Sequence, residues 1–337
     1  MREDLGGSRV SRAILILFVA SSLARAGSDL AKDFPRYEPT TGVAGSLKSV
    51  GSDTMNNVMT LWQEGFREEY PNVQTQVEGK GSSTAPPALI SGTANFGPMS
   101  RAMKDAEIAA FKKKFGYEPT GLKVGIDVLA VFVHRDNPLS GLTMAQLDAV
   151  FSKGRRAGHA RPVRTWGDLG LPEPWKSKPI TLYGRNSASG TYGYFKEFVL
   201  LGGDFKDSVL EQPGSSSVVQ AVGTDRFSMG YSGIGYQTPD VRPVPLALDA
   251  KSSPIPAEAE FAYSGKYPLS RQLLVYVGLE PARPVDPLRA EFIRYMFSQP
   301  GQRAVARDGY LPIQPDVAQA VLKQAGLAPS AEGTPAP

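Results

Sequence analysis

Arg185-Asn186-Ser187-Ala188-Ser189-Gly190-Thr191 sits between the apolar run Pro179 to Tyr183 and the helix-like Tyr192 to Leu201. A strand that runs into a loop of small hydroxyl residues and glycine, and then into a helix, aims unpaired backbone N–H groups and the positive helix end at one spot. Ser187, Ser189 and Thr191 can add O–H donors, and Arg185 can add a charged fork. The stretch therefore reads as an anion cup. The same residue types also make ordinary helix caps. Repetition elsewhere in the chain is what separates the two readings.

The pattern does recur. Ser49-Val50-Gly51-Ser52-Asp53-Thr54-Met55 closes a short apolar run and opens a segment with Val58, Leu61, Trp62 and Phe66 at helical spacing. Gly79-Lys80-Gly81-Ser82-Ser83-Thr84-Ala85-Pro86-Pro87 follows the alternating Val73-Gln74-Thr75-Gln76-Val77 and enters a helix whose first turn tolerates proline. Asn95-Phe96-Gly97-Pro98-Met99-Ser100-Arg101 is a strand-to-loop step with its own arginine. Several such starts in one chain suggest convergence on a tetrahedral oxyanion.

Strand-like and helix-like stretches alternate, which argues an α/β protein. Strand candidates are Leu47 to Val50, Val73 to Val77, Val128 to Val133, Ile180 to Tyr183, Met229 to Tyr231 and Leu273 to Val277. Lys123 to His134 and Tyr267 to Val277 are long extended runs, suited to crossing between two lobes. At 337 residues and 41% apolar content the chain can build two lobes, each with its own core.

Arg9 and Arg12 precede the apolar Ala13 to Ala20, and Ala24-Arg25-Ala26 offers a small-residue cleavage position, so residues 1–26 read as a signal peptide. Residues 27–45 read as a leader, and 326–337 as a disordered tail rich in small residues and proline. The formal charge is +4, of which residues 1–26 hold a net +2. That balance, with no basic stripe interleaved with aromatics, argues against nucleic acid; Lys112-Lys113-Lys114 reads as the solvated face of a helix. There is no cysteine, hence no disulfide and no lipidated N-terminal cysteine.

Catalytic chemistry is thinly provided. His134 and His159 are the only histidines, and neither has a ligand partner at short spacing, so no metal is expected. Gly184 to Thr191 lacks the Gly-Lys-Ser/Thr ending of a P-loop, and no Gly-x-Ser-x-Gly elbow is present. Asp127, Asp136, Asp204 and Asp225 read as solvated loop and cap residues.

Gly51-Ser52-Asp53-Thr54-Met55, Gly79-Lys80-Gly81-Ser82-Ser83, Phe96 to Arg101 and above all Gly184 to Thr191 resemble the successive ligand loops of PstS-type proteins, the periplasmic phosphate-binding components of a phosphate ABC transporter. The resemblance covers roughly residues 46–315 and includes Met229 to Tyr236. It implies a two-lobed, type II periplasmic-binding-protein fold, each lobe a mixed sheet flanked by helices, with one inorganic phosphate in the cleft and no cofactor. The implied lobes are 46–130 with 268–325, and 131–267. Thr54, Met55 (through its backbone N–H) and Ser82 would bind from one lobe, and Arg185, Ser189, Gly190 and Thr191 from the other. The implied setting is a soluble, monomeric periplasmic protein that hands its ligand to ABC permease subunits in the inner membrane.

One loop departs from the family. Where many relatives carry an aspartate that accepts the phosphate proton, this chain has Ser100, expected to bind the ligand, followed by Arg101. An acceptor-only carboxylate favours phosphate, which keeps a proton near neutral pH, over sulfate, which keeps none. Asp53 is the acid within the proposed loops and is expected either to be that acceptor or to cap the following helix. Arg101 is expected to be a second cation for the ligand or the partner of Asp53. The rival readings are capture of sulfate or molybdate, a secreted phosphatase or esterase with Ser189 as nucleophile, and a sensory or adhesive module.

Overall fold

A computed structural model describes residues 30–327. The expected signal peptide (1–26) and residues 328–337 of the expected tail lie outside the described residues. The strands are β1 (Gly45–Val50), β2 (Val73–Glu78), β3 (Phe96–Met99), β4 (Thr120–His134), β5 (Leu142–Thr143), β6 (Thr181–Arg185), β7 (Val209–Gln212), β8 (Ser228–Gly233), β9 (Val241–Pro243), β10 (Leu246–Ala247) and β11 (Ser270–Val277). They form a sheet in the order β2-β1-β3-β11-β4-β8-β6-β7, with β9 also against β4, while β5 and β10 make a separate parallel pair.

The 15-residue β4 joins the halves of the molecule. Its first part pairs antiparallel with β11, and its last part pairs with β8 and β9. Two apolar cores flank this passage. One gathers Leu47, Trp62, Phe66, Phe96, Leu122 and Val275; the other gathers Val128 to Val133, Trp166, Phe195 and Tyr231. The change of core falls between Val124 and Val128 on β4, and between Leu269 and Leu273 at β11. The two long extended runs of the sequence are thus the strands at which the lobes meet. Val128 to Val133 is continuously apolar because it is fully buried, whereas the edge strand β2 alternates and buries Val73 alone.

The helices follow local rules. Helix Asn56–Glu69 turns Val58, Trp62 and Phe66 inward at helical spacing. Leu61 is only partly buried, and Gln63 takes an inner position, donating to the Gln76 carbonyl. Pro86 and Pro87 occupy the first turn of helix Ala85–Ser91. Lys112 to Lys114 end helix Asp105–Phe115, where positive charge suits the helix dipole.

Residues 30–44 are not a detached leader. Phe34 and Val43 are buried in the first core, and Tyr37 Oη donates to Glu291 Oε2 at 2.8 Å. The Pro35 carbonyl accepts the Gln299 N–H at 2.8 Å. Two aromatic side chains supply enough apolar area to dock a segment that has no periodicity to read. At the other end Leu327 is buried, and its N–H bonds to the Leu322 carbonyl, so the chain is packed up to that point.

Asp308 follows helix Gln299–Arg307 and accepts the Val58 N–H and an Asn57 hydrogen bond at the start of helix Asn56–Glu69. Burial pushes its carboxyl up to about 7, those bonds pull it down, and the nearby Asp127 charge adds to the rise. A raised acid holds its proton more tightly in the folded state. Its stabilisation is therefore complete below its unfolded value of 3.8 and is lost as pH rises through about 7. Asp308→Asn should flatten the fall of stability across that window and leave the variant ~2 kcal/mol more stable than wild type in mild alkali. Urea unfolding at several pH values measures this, and parallel curves for the two proteins would refute it.

Candidate oxyanion-binding site

β1 is parallel to β2 and β3, and β6 is parallel to β7 and β8, so the loops after their carboxyl ends collect at the cleft. There the hydroxyls of the lobes meet. Thr54 Oγ1 lies 2.9 Å from Thr191 Oγ1 across the cleft. Ser82 Oγ accepts the Ser100 N–H at 3.1 Å and lies 3.3 Å from Ser100 Oγ, which also accepts from Ser52 Oγ. The Ser83 N–H donates to the Ala188 carbonyl at 3.1 Å, so backbone also bridges the lobes.

That approach explains two glycines. A Cβ on Gly190 would lie 2.2 Å from Ser82 Oγ and 2.6 Å from Ser100 Oγ. Gly81 has φ +111°, and a Cβ there would lie 2.5 Å from the Ala188 carbonyl oxygen. Ser189 Oγ accepts the Thr191 and Tyr192 N–H groups, capping helix Gly190–Phe198 while keeping its own O–H to donate.

Arg185 ends β6 with 2% of its surface exposed. Its Nη1 donates to Ser215 Oγ at 2.7 Å, and its Nη2 donates to the Pro213 carbonyl and lies 3.1 Å from Asp53 Oδ2. Burial pulls the guanidinium below its ordinary value; Asp53 opposes this, and the positive charge of Arg271 adds to it. Asp53 Oδ2 also accepts the Ser215 N–H at 2.9 Å. Asp53 is not a helix cap: helix Asn56–Glu69 is preceded by Met55 and has no side-chain cap. Nor is its Oδ2 open to a ligand, because two donors of the opposite lobe fill it. The carboxylate is a latch across the cleft. Tyr236 and Tyr310 hold the same loop by donating to the Thr54 carbonyl at 3.1 and 2.6 Å.

Two other expectations need correction. Arg101 does not pair with Asp53; its Nη1 and Nη2 reach Glu107 at 2.8 and 2.7 Å, and they also reach the Ala102 carbonyl and Ser83 Oγ. An acid six residues away satisfied the cation locally. Against the upward push of its own burial, the Arg101 and Lys104 contacts hold Glu107 below the usual carboxylate range. The Met55 N–H, expected to meet the ligand, bonds to the Ser52 carbonyl at 3.2 Å inside the turn.

Sequence reasoning missed a second buried cation. Arg271 on β11 stands directly opposite Asp127 on β4, and its Nε and Nη2 donate to Asp127 Oδ2 at 2.9 and 2.6 Å. Arg271 Nη2 also donates to Thr191 Oγ1 at 3.0 Å, which ties the pair to the cleft hydroxyls. Asp127 is fully buried and so is not the solvated acid expected. The signal was present: a lone charge inside the run Val124-Gly125-Ile126-Asp127-Val128-Leu129 demands a partner.

A family model described as a PBP superfamily domain matches residues 37–300. The chain is 51% identical over 314 residues to a phosphate-binding protein PstS of Pseudomonas aeruginosa, covering 93% of this chain and 97% of that one. Among solved structures it resembles one described as a phosphate ABC transporter substrate-binding protein from Clostridium perfringens (TM-score 0.67, 22% identity, 80% of this chain and 100% of that one). It also resembles an ABC-type phosphate transport receptor from Vibrio cholerae (TM-score 0.61, 21% identity, 79% and 100%). These structural likenesses establish the fold: two lobes of mixed α/β structure around a cleft.

Gly190→Ala should hold the lobes apart while each stays folded, because the methyl meets Ser82 and Ser100 of the facing lobe. Small-angle scattering should give a larger radius of gyration for the variant than for wild type under the same conditions. Superimposable curves would show that the contact yields to a methyl group.

Proposed function

The chain belongs to the PBP superfamily and, within it, to the PstS family, and from that premise we propose that it captures inorganic phosphate between its lobes and delivers it to an ABC permease. It is a binding protein and not an enzyme. The observation that carries the reading is the convergence of Thr54, Ser82 and Ser100 from one lobe on Thr191, Gly190 and the buried Arg185 of the other. Donors in that number, around a cation, suit a compact anion with several oxygens.

Each hydroxyl can turn its proton onto a phosphate oxygen, and the Ser189 hydroxyl adds another donor at the positive end of helix Gly190–Phe198. Arg185 supplies the charge. A ligand touched by both lobes binds the closed form better and shifts the population toward it. We place the lobe boundaries at 46–130 with 268–325 and at 131–267, and the mature protein in the periplasm as a monomer serving permease subunits of the inner membrane. Sulfate or molybdate capture is the competing reading, and an anion panel separates the two.

Calorimetric titration of phosphate-stripped mature protein should show one saturable site for phosphate and a much weaker response to sulfate. Arg185→Ala should weaken phosphate binding by about 2 kcal/mol or more, the scale for truncating one partner of a buried charge pair. Unchanged affinity in a folded variant would remove Arg185 from the site.

A further inference from the structure

The buried pair Asp127–Arg271 is lopsided. Arg271 directs both Nε and Nη2 at the same oxygen, Asp127 Oδ2. Asp127 Oδ1 and Arg271 Nη1 are consequently buried with no hydrogen-bond partner in the protein. Asp127 is fully buried and Arg271 only 5% exposed. A pair serving only to join β4 and β11 would be expected to use both carboxylate oxygens, as the fork geometry of arginine allows. An orphaned acceptor and an orphaned donor inside a protein are each costly.

The pair also borders the cleft. Its Nη2 is bound to Thr191 Oγ1, which is bound in turn to Thr54 Oγ1. The positive charge of Arg271 also acts on Arg185. Ser100 carries no carboxylate and is bonded to Ser82, and Asp53 Oδ2 is engaged by Ser215 and Arg185.

We propose that Asp127 and Arg271 are the specificity-determining residues of the site, Arg271 donating through Nη1 to a phosphate oxygen and Asp127 accepting the phosphate O–H. The inference rests on the phosphate reading above. Monohydrogen and dihydrogen phosphate offer both an acceptor and an O–H, and so complete both orphaned groups. Sulfate has no proton to give, and it would set its charge against the carboxylate. The ligand would then also touch the strands on which the lobes turn, as well as the loops of each lobe.

The experiment compares phosphate and sulfate dissociation constants, at one pH and ionic strength, for wild type, Asp53→Asn and Asp127→Asn. Asparagine at 127 can still face Arg271 with its oxygen, but its other terminal atom becomes an N–H donor where the carboxylate offered a lone pair. The ratio of sulfate to phosphate constants should fall by about ten-fold or more in Asp127→Asn. In Asp53→Asn both anions should weaken by a similar factor, since a latch does not distinguish them. A folded Asp127→Asn with the wild-type ratio would overturn the proposal and leave the pair as a strut between strands.

If Asp127→Asn does not fold, Arg271→Lys decides the matter. It keeps a charge for Asp127 and removes Nη1, so phosphate should weaken by about ten-fold or more while the melting temperature falls little. Phosphate affinity within about two-fold of wild type would overturn the proposal. Wild-type protein that binds no phosphate would instead refute the reading on which the inference rests.

Discussion

Two guanidinium groups are enclosed between the lobes, and the need to neutralise them organises the structure around them. Arg185 and Arg271 both have nearly all of their surface buried. An unpaired buried charge costs several kcal/mol, so each must find a carboxylate. The two solve this differently. Arg271 takes Asp127 from the adjacent strand, a partner fixed by sheet register whether the lobes are apart or together. Arg185 takes Asp53 from the facing loop, 162 residues before Ser215, which shares the same carboxylate oxygen. Were the lobes to part there, water could solvate both groups, so the pairing strands no buried charge.

The sheet makes that arrangement possible. Parallel strands in each lobe send their following loops to the cleft, and the antiparallel β4 and β11 carry the chain between cores without a separate linker. Glycine then sets how closely the loops approach. At 81 and 190 the facing atoms leave no room for a side chain, so the contact distance is built into the sequence. Backbone bonds such as Ser83 N–H to the Ala188 carbonyl would be impossible at a wider spacing.

Local signals are legible in the sequence, and long-range ones are not. The loop from Arg185 to Thr191 is legible because strand ending, hydroxyl content, glycine and helix start are adjacent in the chain. The strands β1, β2, β4, β6, β8 and β11 were legible by apolar pattern. The latch was not: Asp53 and Ser215 are 162 residues apart, and an acid before a helix looks like a cap. Asp127 reads as solvated because acids usually are, although its neighbours in an apolar strand argue otherwise. Arg101 pairs with Glu107 in the first turn of the next helix, an acid that the pattern of its own loop does not single out. Phe34 and Tyr37 carry no periodicity, so their docking appears only in three dimensions.

Chemistry in the cleft also follows from what its donors can and cannot do. The Ser189 hydroxyl is oriented by two backbone N–H groups, and a nucleophile would need a base within reach. Both histidines are engaged elsewhere: His134 Nδ1 accepts the Asp136 N–H, and His159 Nδ1 meets the Arg161 carbonyl at 2.6 Å. A ring of donors around a cation stabilises a stable anion as well as any state derived from it, and such uniform binding gives affinity without rate. Release then depends on reopening. Were Asp53, Arg185 and the Ser215 N–H to regain water on separation, much of the latch energy would be returned. The net preference for the closed form would then be set mainly by contacts to the anion, which is what a receptor that must both capture and surrender its ligand requires.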